Sequence, residues 1–189
     1  MNYQAIQPPF SLDFWEMSKD ELKAYFAWVM AIIPDRIHQL TAFIKDDPAF
    51  RNWESDNSES SIDILGEWMS AHVSVRERTD DELGALKGKS QYSIDPPKDV
   101  LTRESYSIGF DVGLYFAQTL IAHHPNLKWT QDFRSRKDMD FGQPLLTPFG
   151  PLQLNPIRIA INVAHGLARK QRPATRLREV YEEWSRRAA

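Results

Sequence analysis

Cysteine is absent from this chain of 189 residues. Without a thiol there can be no disulfide, no cysteine nucleophile and no thiolate ligand for a metal. Glycine is scarce, with eight residues, and the sequence contains no phosphate loop, no Gly-x-Gly-x-x-Gly, no Gly-x-Ser-x-Gly and no Ser-x-x-Lys. These absences argue against a cradle for nucleotide phosphates and against the common serine-hydrolase sites.

The sequence also lacks a long hydrophobic run. No uninterrupted apolar segment approaches the roughly 20 residues that a membrane-spanning helix needs. The first ten residues lack the basic and then apolar pattern of a signal peptide. We therefore expect a cytoplasmic protein without a membrane partner. The 42% hydrophobic and 12% aromatic content predicts a folded core, and the length fits one domain over residues 1–189.

Charge is distributed unevenly along the chain. Residues 1–100 hold 10 Lys and Arg against 18 Asp and Glu, whereas residues 101–189 hold 13 against 8. The simpler interpretation is that the two halves attract each other within one fold. The alternative is that the acidic N-terminal half forms a surface for a protein partner. Nucleic-acid binding is disfavoured because the pI of about 6.0 is far from the basic range of such domains.

The apolar pattern predicts a mainly α (α+β) fold. We expect about six helices around a central buried helix at 104–122, which is apolar nearly all round. Alternation over residues 127–133 and the segment 144–149 predict a small two- or three-stranded sheet within 127–154. Two prolines in the second segment should confine that strand to an edge.

Capping signals place the other helices. Ser18 with Glu21 and Thr79 with Glu82 form capping boxes, which should begin two helices. Pro34 predicts that the first helix ends or bends near Ile33, giving two helices or one bent one.

The remaining helix starts rest on single capping residues and on proline. Ser60 or Ser61 should begin a helix, Asn155 should cap one that starts at Pro156, and Thr175 should cap the last. Residues 90–100, with two prolines, are expected to form a loop.

Asp111 is the one charge in the middle of the central helix. Positions 104, 107, 111, 115 and 118 are polar and spaced three or four apart, so they form a polar seam. Gly109, Gly113 and Ala117 form what we expect to be an adjacent smooth strip, where another helix backbone can approach closely. An unpaired buried carboxylate is costly, so the main interpretation is a buried ion pair. Its predicted partner is Arg158, with Lys128 as second choice.

The alternative interpretation places the carboxylate in a pocket. The candidate binding residues are then Asp111, Tyr115, Lys128, Asp140, Asn155 and Arg158. We expect no metal and no cofactor, because His123 and His124 lack the spacing of ligands on one helix face. The basic run 169–172 is interpreted as a solvated helix end, where cations complement the helix dipole.

Three segments resemble a family of small bacterial cytoplasmic proteins that has no assigned activity. They are Leu22–Arg36 with Ile-Pro-Asp-Arg, Ser107–Trp129 with Asp-Val-Gly-Leu-Tyr-Phe, and Gln143–Arg158 with Asn-Pro-Ile-Arg. Proteins of this kind are similar to the immunity partners of bacterial toxins. The resemblance implies binding rather than catalysis, and it supplies no catalytic residues.

Taken together, these features favour a non-enzymatic protein-binding module of immunity type. The main alternative is a small-molecule-binding protein or enzyme with a polar pocket around Asp111 and Arg158. A structural or oligomeric helical protein is a third possibility, through the aromatic last helix. The sequence leaves open the partner, the oligomeric state and whether any reaction is catalysed.

Overall fold

The computed structural model describes residues 3–89 and 96–188. Within these ranges the chain forms six helices and five short strands, which confirms the predicted mainly α (α+β) class. The helices are α1 (Lys19–Asp46), α2 (Glu59–His72), α3 (Asp80–Lys89), α4 (Arg103–His123), α5 (Pro156–Ala168) and α6 (Arg176–Ala188). The strands are β1 (Val75–Glu77), β2 (Asp99–Leu101), β3 (Lys128–Thr130), β4 (Leu145–Phe149) and β5 (Leu152–Leu154).

The first helix begins as its capping box predicts. Glu21 N donates to Ser18 Oγ at 3.2 Å, and Ser18 N donates to Glu21 Oε2 at 2.7 Å. The helix does not end at Pro34 but continues to Asp46, so of the two predicted alternatives one helix forms rather than two. Pro34 is exposed, so water can reach the backbone carbonyl that loses its donor there.

Two further helix starts test the other capping predictions. α3 opens on the predicted box, because Thr79 N donates to Glu82 and Glu82 N donates to Thr79. α2 instead is capped by Ser58, whose hydroxyl accepts from Ser61 N at 3.1 Å. The prediction of Ser60 or Ser61 was therefore wrong by two or three residues, because several serines in a row offer equivalent caps.

The three-stranded antiparallel sheet has the order β3-β4-β5. β4 pairs with β3 in the register Lys128↔Thr147 and with β5 in the register Leu146↔Leu154. The prediction of an edge strand was therefore wrong, because β4 is central. Pro148 lies where the register with β5 shifts, between Leu146 and Phe149, and an irregular position needs no ladder hydrogen bond.

A second sheet was not predicted. β1 and β2 pair antiparallel with Val75 opposite Leu101. Three-residue strands are too short to show an alternating pattern, so no periodic signal predicts them. Of the expected loop 90–100, residues 90–95 lie outside the described residues, and Asp99 and Val100 belong to β2.

The central helix forms close to the predicted bounds, and its glycines face α5. A Cβ on Gly113 would lie 2.6 Å from Ile157 Cα, and one on Gly109 would lie 3.1 Å from Ile161 Cα. Real Cβ atoms essentially never show a contact as short as the one at Gly113, and the one at Gly109 is tighter than most, so the absence of these side chains lets the two backbones meet. The predicted smooth strip is thus the contact between α4 and α5.

The buried residues form two hydrophobic clusters, and α4 contributes to both. The larger cluster contains Trp53, Trp68, Phe116 and Tyr181 among others. The smaller one joins the N-terminal segment, the first half of α1 and Phe141 to Phe110 and Leu114 of α4. The helix predicted to be central therefore does organise the core.

Candidate functional site

Asp111 is fully buried, and its partner is Arg36 of α1. Arg36 Nε donates to Oδ1 at 2.7 Å and its terminal nitrogen donates to Oδ2 at 2.6 Å. The hydroxyl of Tyr3 also donates to Oδ2. The same guanidinium donates to Gln4 O at 3.2 Å. This network fastens the N-terminal segment to α1 and α4, and it leaves no route for a ligand to the carboxylate.

The prediction that Asp111 pairs with Arg158 was wrong, although a buried ion pair is present. Successive helix residues are rotated by about 100°, so position 111 lies about 200° from both 109 and 113. Because those glycines face α5, Asp111 points away from α5 and therefore away from Arg158. The polar seam and the smooth strip are on opposite sides of α4 rather than adjacent.

Burial of the Asp111 carboxyl raises its pKa to about 6, although the hydrogen bonds from Arg36 and Tyr3 favour its ionised form. Burial and the nearby carboxylate also raise the pKa of the Tyr3 hydroxyl, so Tyr3 remains a donor. The group is ionised at neutral pH and is enclosed by its partners. We therefore assign it a structural role.

Tyr115 and Lys128 do not join Arg158 in a pocket either. The Tyr115 hydroxyl accepts from Asn57 N at 2.9 Å and lies 2.6 Å from Ser61 Oγ, so it fixes the loop before α2. Lys128 is exposed on β3. Neither residue lies near Arg158 in the way that the predicted pocket required.

The other three candidate residues, Asp140, Asn155 and Arg158, lie in contact with one another. Arg158 pairs with Asp140 Oδ2 at 2.5 Å, and Asn155 Nδ2 donates to Asp140 Oδ1 at 2.8 Å. Asn155 also caps α5 as predicted, since Arg158 N donates to its Oδ1 at 2.9 Å. Within the described ranges, Arg158 Nε is shielded from solvent and has no hydrogen-bond partner.

A cavity of about 220 Å³ adjoins this cluster, and we call it the Arg158 cavity. Aromatic and aliphatic side chains form most of its wall, and three polar residues complete it. Its lining includes Phe14, Tyr25, Tyr106, Ile157 and Ile161 together with Gln143, Asn155 and Arg158. Of the residues predicted for the polar pocket, Asn155 and Arg158 line this cavity, whereas Asp111 does not.

A second opening, of about 670 Å³, lies on another face of α5, and we call it the basic groove. It runs between α5, α6 and the ends of β1 and β2. Its charged residues are Arg78, Asp99, Arg169, Arg172, Arg176 and Glu183, and its apolar residues include Ile159, Val163, Val180 and Trp184.

The turn after α5 places two of the groove's arginines. Lys170 adopts a φ of 55°, Gln171 N donates to Gly166 O at 2.9 Å, and Lys170 N donates to Leu167 O at 2.9 Å. This is the Schellman arrangement that ends a helix, here with lysine in the place that glycine usually occupies. A Cβ on Gly166 would lie 2.8 Å from Arg172 Cγ, so this glycine makes room for Arg172.

The groove is positively charged. Four arginines face two carboxylates, and Asp99 already holds Arg169 through hydrogen bonds of 2.7 and 2.5 Å. Among the residues that the structure describes, no carboxylate forms an ion pair with Arg78 or Arg172. Burial, together with the charges of Arg169 and Arg78, lowers the pKa of His165, so that imidazole is neutral at neutral pH. The net charge of the lining is therefore +2.

Sequence reasoning noticed the basic run 169–172 but interpreted it as a solvated helix end. Arg78 and Arg176 are far from that run in sequence, and only folding brings them beside it. One available signal was the spacing of Ile159, Val163 and Gly166 on one face of α5. Nothing in the local sequence indicated that this face stays open.

Two features are absent from the described residues. In residues 3–89 and 96–188, no group of three or more His, Asp and Glu side chains is placed to hold a metal ion. None of the helices in these ranges combines the length and the hydropathy needed to cross a membrane.

No protein-family model matches the chain, and no curated protein or solved structure is significantly similar to it. The resemblance to immunity proteins thus stays an expectation. The function has to be argued from geometry.

Proposed function

We propose that this protein is a non-enzymatic, cytoplasmic binding module whose basic groove holds an acidic segment of a partner protein. The observation that carries the proposal is the groove itself, about 670 Å³ in volume and lined by four arginines against two carboxylates. Its volume falls within the range of ordinary ligand sites. An immunity-type role, in which the partner is a toxin, is one instance of this function.

The arginines of the groove differ in how free they are to bind carboxylates of a partner. Arg169 is held by Asp99, and Arg176 donates to Glu179 at 3.0 Å. Arg78 donates its Nε to Pro97 O at 3.0 Å, and among the described residues its two terminal nitrogens have no hydrogen-bond acceptor, so they can meet a partner. Guanidinium groups bind carboxylates with two parallel hydrogen bonds, so Arg78 and Arg172 suit aspartate and glutamate side chains.

The floor of the groove favours a protein over a nucleic acid. Val163 and Val180 are almost fully buried there, and the Trp184 ring packs edge-on against Phe149 with centroids 5.0 Å apart. An acidic segment that carries an apolar side chain can pair its carboxylates with the arginines of the groove and pack the apolar side chain against this floor. A net charge of +2 is small beside the charge that nucleic-acid sites need to neutralise several phosphates.

The expected acidic partner surface on the N-terminal half stays a prediction that nothing here tests. Part of its charge is engaged within the fold, because Asp99 pairs with Arg169, and Glu59 and Asp63 pair with Arg178. The groove offers the opposite charge, and it combines that charge with a concave shape. We therefore place the partner at the groove.

The experiment is a titration with a fluorescein-labelled acidic peptide that alternates pairs of glutamate with leucine, followed by fluorescence anisotropy. We expect saturable binding that weakens as sodium chloride rises from 50 to about 500 mM, because the contact is between charges. Arg78→Glu combined with Arg172→Glu should weaken binding at least tenfold.

The matched control is Arg51→Glu combined with Arg103→Glu, which makes the same change of net charge at exposed positions outside the groove. This control should bind the peptide within about twofold of the original protein. Equal binding by the two double variants would refute the proposal. Tighter binding of a single-stranded oligonucleotide than of the peptide would also count against it.

A further inference from the structure

The Arg158 cavity shares no lining residue with the basic groove. Ile157 and Ile161 line the cavity, whereas Ile159 and Val163 line the groove, so the two sites are on different faces of α5. Its volume of about 220 Å³ is below the range of drug-sized ligand sites. A cavity of roughly 150 Å³ can hold a benzene ring, so this one suits a single substituted ring.

The wall of the cavity is an aromatic assembly that is already in place. Tyr25 packs against Phe14 with ring centroids 5.1 Å apart and against Phe10 with centroids 5.7 Å apart. Burial raises the pKa of Tyr25 and of Tyr106, so both hydroxyls are neutral at neutral pH. Tyr106 also lines the cavity and is 36% exposed. Flat rings stack well against such walls.

The polar side of the cavity presents a guanidinium with incomplete partners. One terminal nitrogen of Arg158 is held by Asp140, while the other donates only to the sulfur of Met139. A thioether is a weak acceptor, and Met139 is 62% exposed, so an oxygen atom can replace its sulfur. Nε has no partner within the described ranges, and unsatisfied buried donors are costly.

The charge of this guanidinium is already balanced. Asp140 lies 2.5 Å from Arg158, and it is the ion-pair partner found among the described residues. A second anion would be repelled by Asp140, whereas a neutral oxygen acceptor would not be. The cavity thus requires a hydrogen-bond acceptor rather than a charge.

We propose that the Arg158 cavity binds a small aromatic molecule that carries a neutral carbonyl oxygen. The ring lies between Tyr25, Tyr106 and the two isoleucines. The carbonyl oxygen takes the place of the Met139 sulfur and accepts from Arg158.

The test uses the full chain with ¹³C-labelled isoleucine methyl groups, since the methyls of Ile157 and Ile161 report on the cavity directly. The probe is benzamide, with benzoate and toluene as comparison ligands. We expect saturable shifts of these two methyls with benzamide, and a Kd at least tenfold lower than for either comparison ligand. Arg158→Met should raise the Kd for benzamide about tenfold or more, the usual effect of losing a hydrogen bond from a charged donor.

The control is Arg51→Met, an exposed arginine outside the cavity, which should leave the Kd unchanged. If Arg158→Met does not fold, Arg158→Lys keeps the ion pair with Asp140 but loses the planar fork, and it should also weaken binding. The absence of saturable shifts, equal Kd values for benzamide and toluene, or tighter binding of benzoate would overturn the proposal. Unchanged benzamide binding by the Arg158 variant would overturn it as well.

Discussion

Asp111 shows how a single residue can define the N-terminal end of the fold. Its carboxylate receives two hydrogen bonds from Arg36 and one from Tyr3, so residues from three separate segments meet at one buried group. Replacing one partner of such a group leaves the others buried without a match. The carboxyl also carries a raised pKa, and that property makes its role measurable.

Asp111→Asn should change the pH dependence of stability. The folded-state pKa of about 6 lies above the ordinary aspartate value of 3.8, so the folded state binds the proton more tightly than the unfolded state. The contribution of Asp111 to stability is therefore complete below about pH 3.8 and is lost as the pH rises through 6. The free energy of unfolding of the original protein, relative to the variant, should increase by up to about 3 kcal/mol when the pH falls from 7 to 4. Urea titrations at several pH values measure it.

Asp56→Asn provides a control of opposite sign. Hydrogen bonds from Ser58 lower the pKa of Asp56, so its contribution is present above its unfolded pKa and is lost as the pH falls. The free energy of unfolding of the original protein, relative to Asp56→Asn, should therefore decrease as the pH falls. The prediction is contradicted if the stability difference between the original protein and Asp111→Asn does not change with pH. It is also contradicted if that difference changes in the same direction as for Asp56→Asn, because the pKa of Asp111 would then not be raised.

At the scale of elements, the contact between α4 and α5 positions both proposed sites. The glycines of α4 let the α5 backbone approach, and α5 then presents Ile157 and Arg158 to the cavity and Ile159 and Val163 to the groove. A shift of α5 would alter both sites together.

Gly113→Ala should destabilise the protein by about 1–3 kcal/mol. The new Cβ would lie 2.6 Å from Ile157 Cα and 2.9 Å from Pro156 O, and backbone atoms cannot move aside as a flexible side chain can. Thermal or urea unfolding measures the change. Gly84→Ala is the matched control, because no atom lies within 4 Å of its Cβ position in α3. That variant should gain up to about 1 kcal/mol from helix propensity. Equal effects of the two substitutions would contradict close packing at Gly113.

Most of the helices could be predicted from the sequence because each has a local signal. The boxes at Ser18 and Thr79 and the cap at Asn155 are local hydrogen bonds between residues three apart, so a short segment contains all the information. Pro34 left open two helices or one bent helix, and one helix runs through it, because a proline inside a long helix can be accommodated when solvent reaches the affected turn. Strands of three residues gave no periodic signal, and the central place of β4 depends on pairing partners that are not adjacent in sequence.

Across the whole molecule, ion pairs join the acidic first half of the chain to the basic second half. Asp99 of the first half pairs with Arg169 of the second, and Glu59 and Asp63 pair with Arg178, whereas the Arg36–Asp111 pair joins the halves with the charges reversed. This distribution supports the interpretation that the halves attract each other within one fold.

Arg178→Met should lower the free energy of unfolding by about 1 kcal/mol at low salt and by less than half of that in 1 M sodium chloride. Arg178 is 20% exposed and reaches carboxylates of both α2 and α6, so the network is partly exposed and salt screens it. Urea unfolding at the two salt concentrations measures the difference.

Lys23→Met is the matched control for a surface cation. Lys23 is 62% exposed and pairs with Asp20 only at 3.6 Å, so the change should be below about 0.5 kcal/mol. A loss for Arg178→Met that does not depend on salt would mean that the packing of its side chain against Tyr181 dominates.

The sequence by itself determined the helical class, the central helix, the close contact along its glycines and the need for a partner to Asp111. These properties depend on periodicity, on capping over three or four residues and on the cost of a buried charge. The tertiary structure decided that the partner is Arg36, that Arg158 instead joins Asp140 beside a small cavity, and that four arginines from distant positions line one groove. Which residues meet depends on how the faces of separate helices are turned toward each other, and no local pattern in the chain records that.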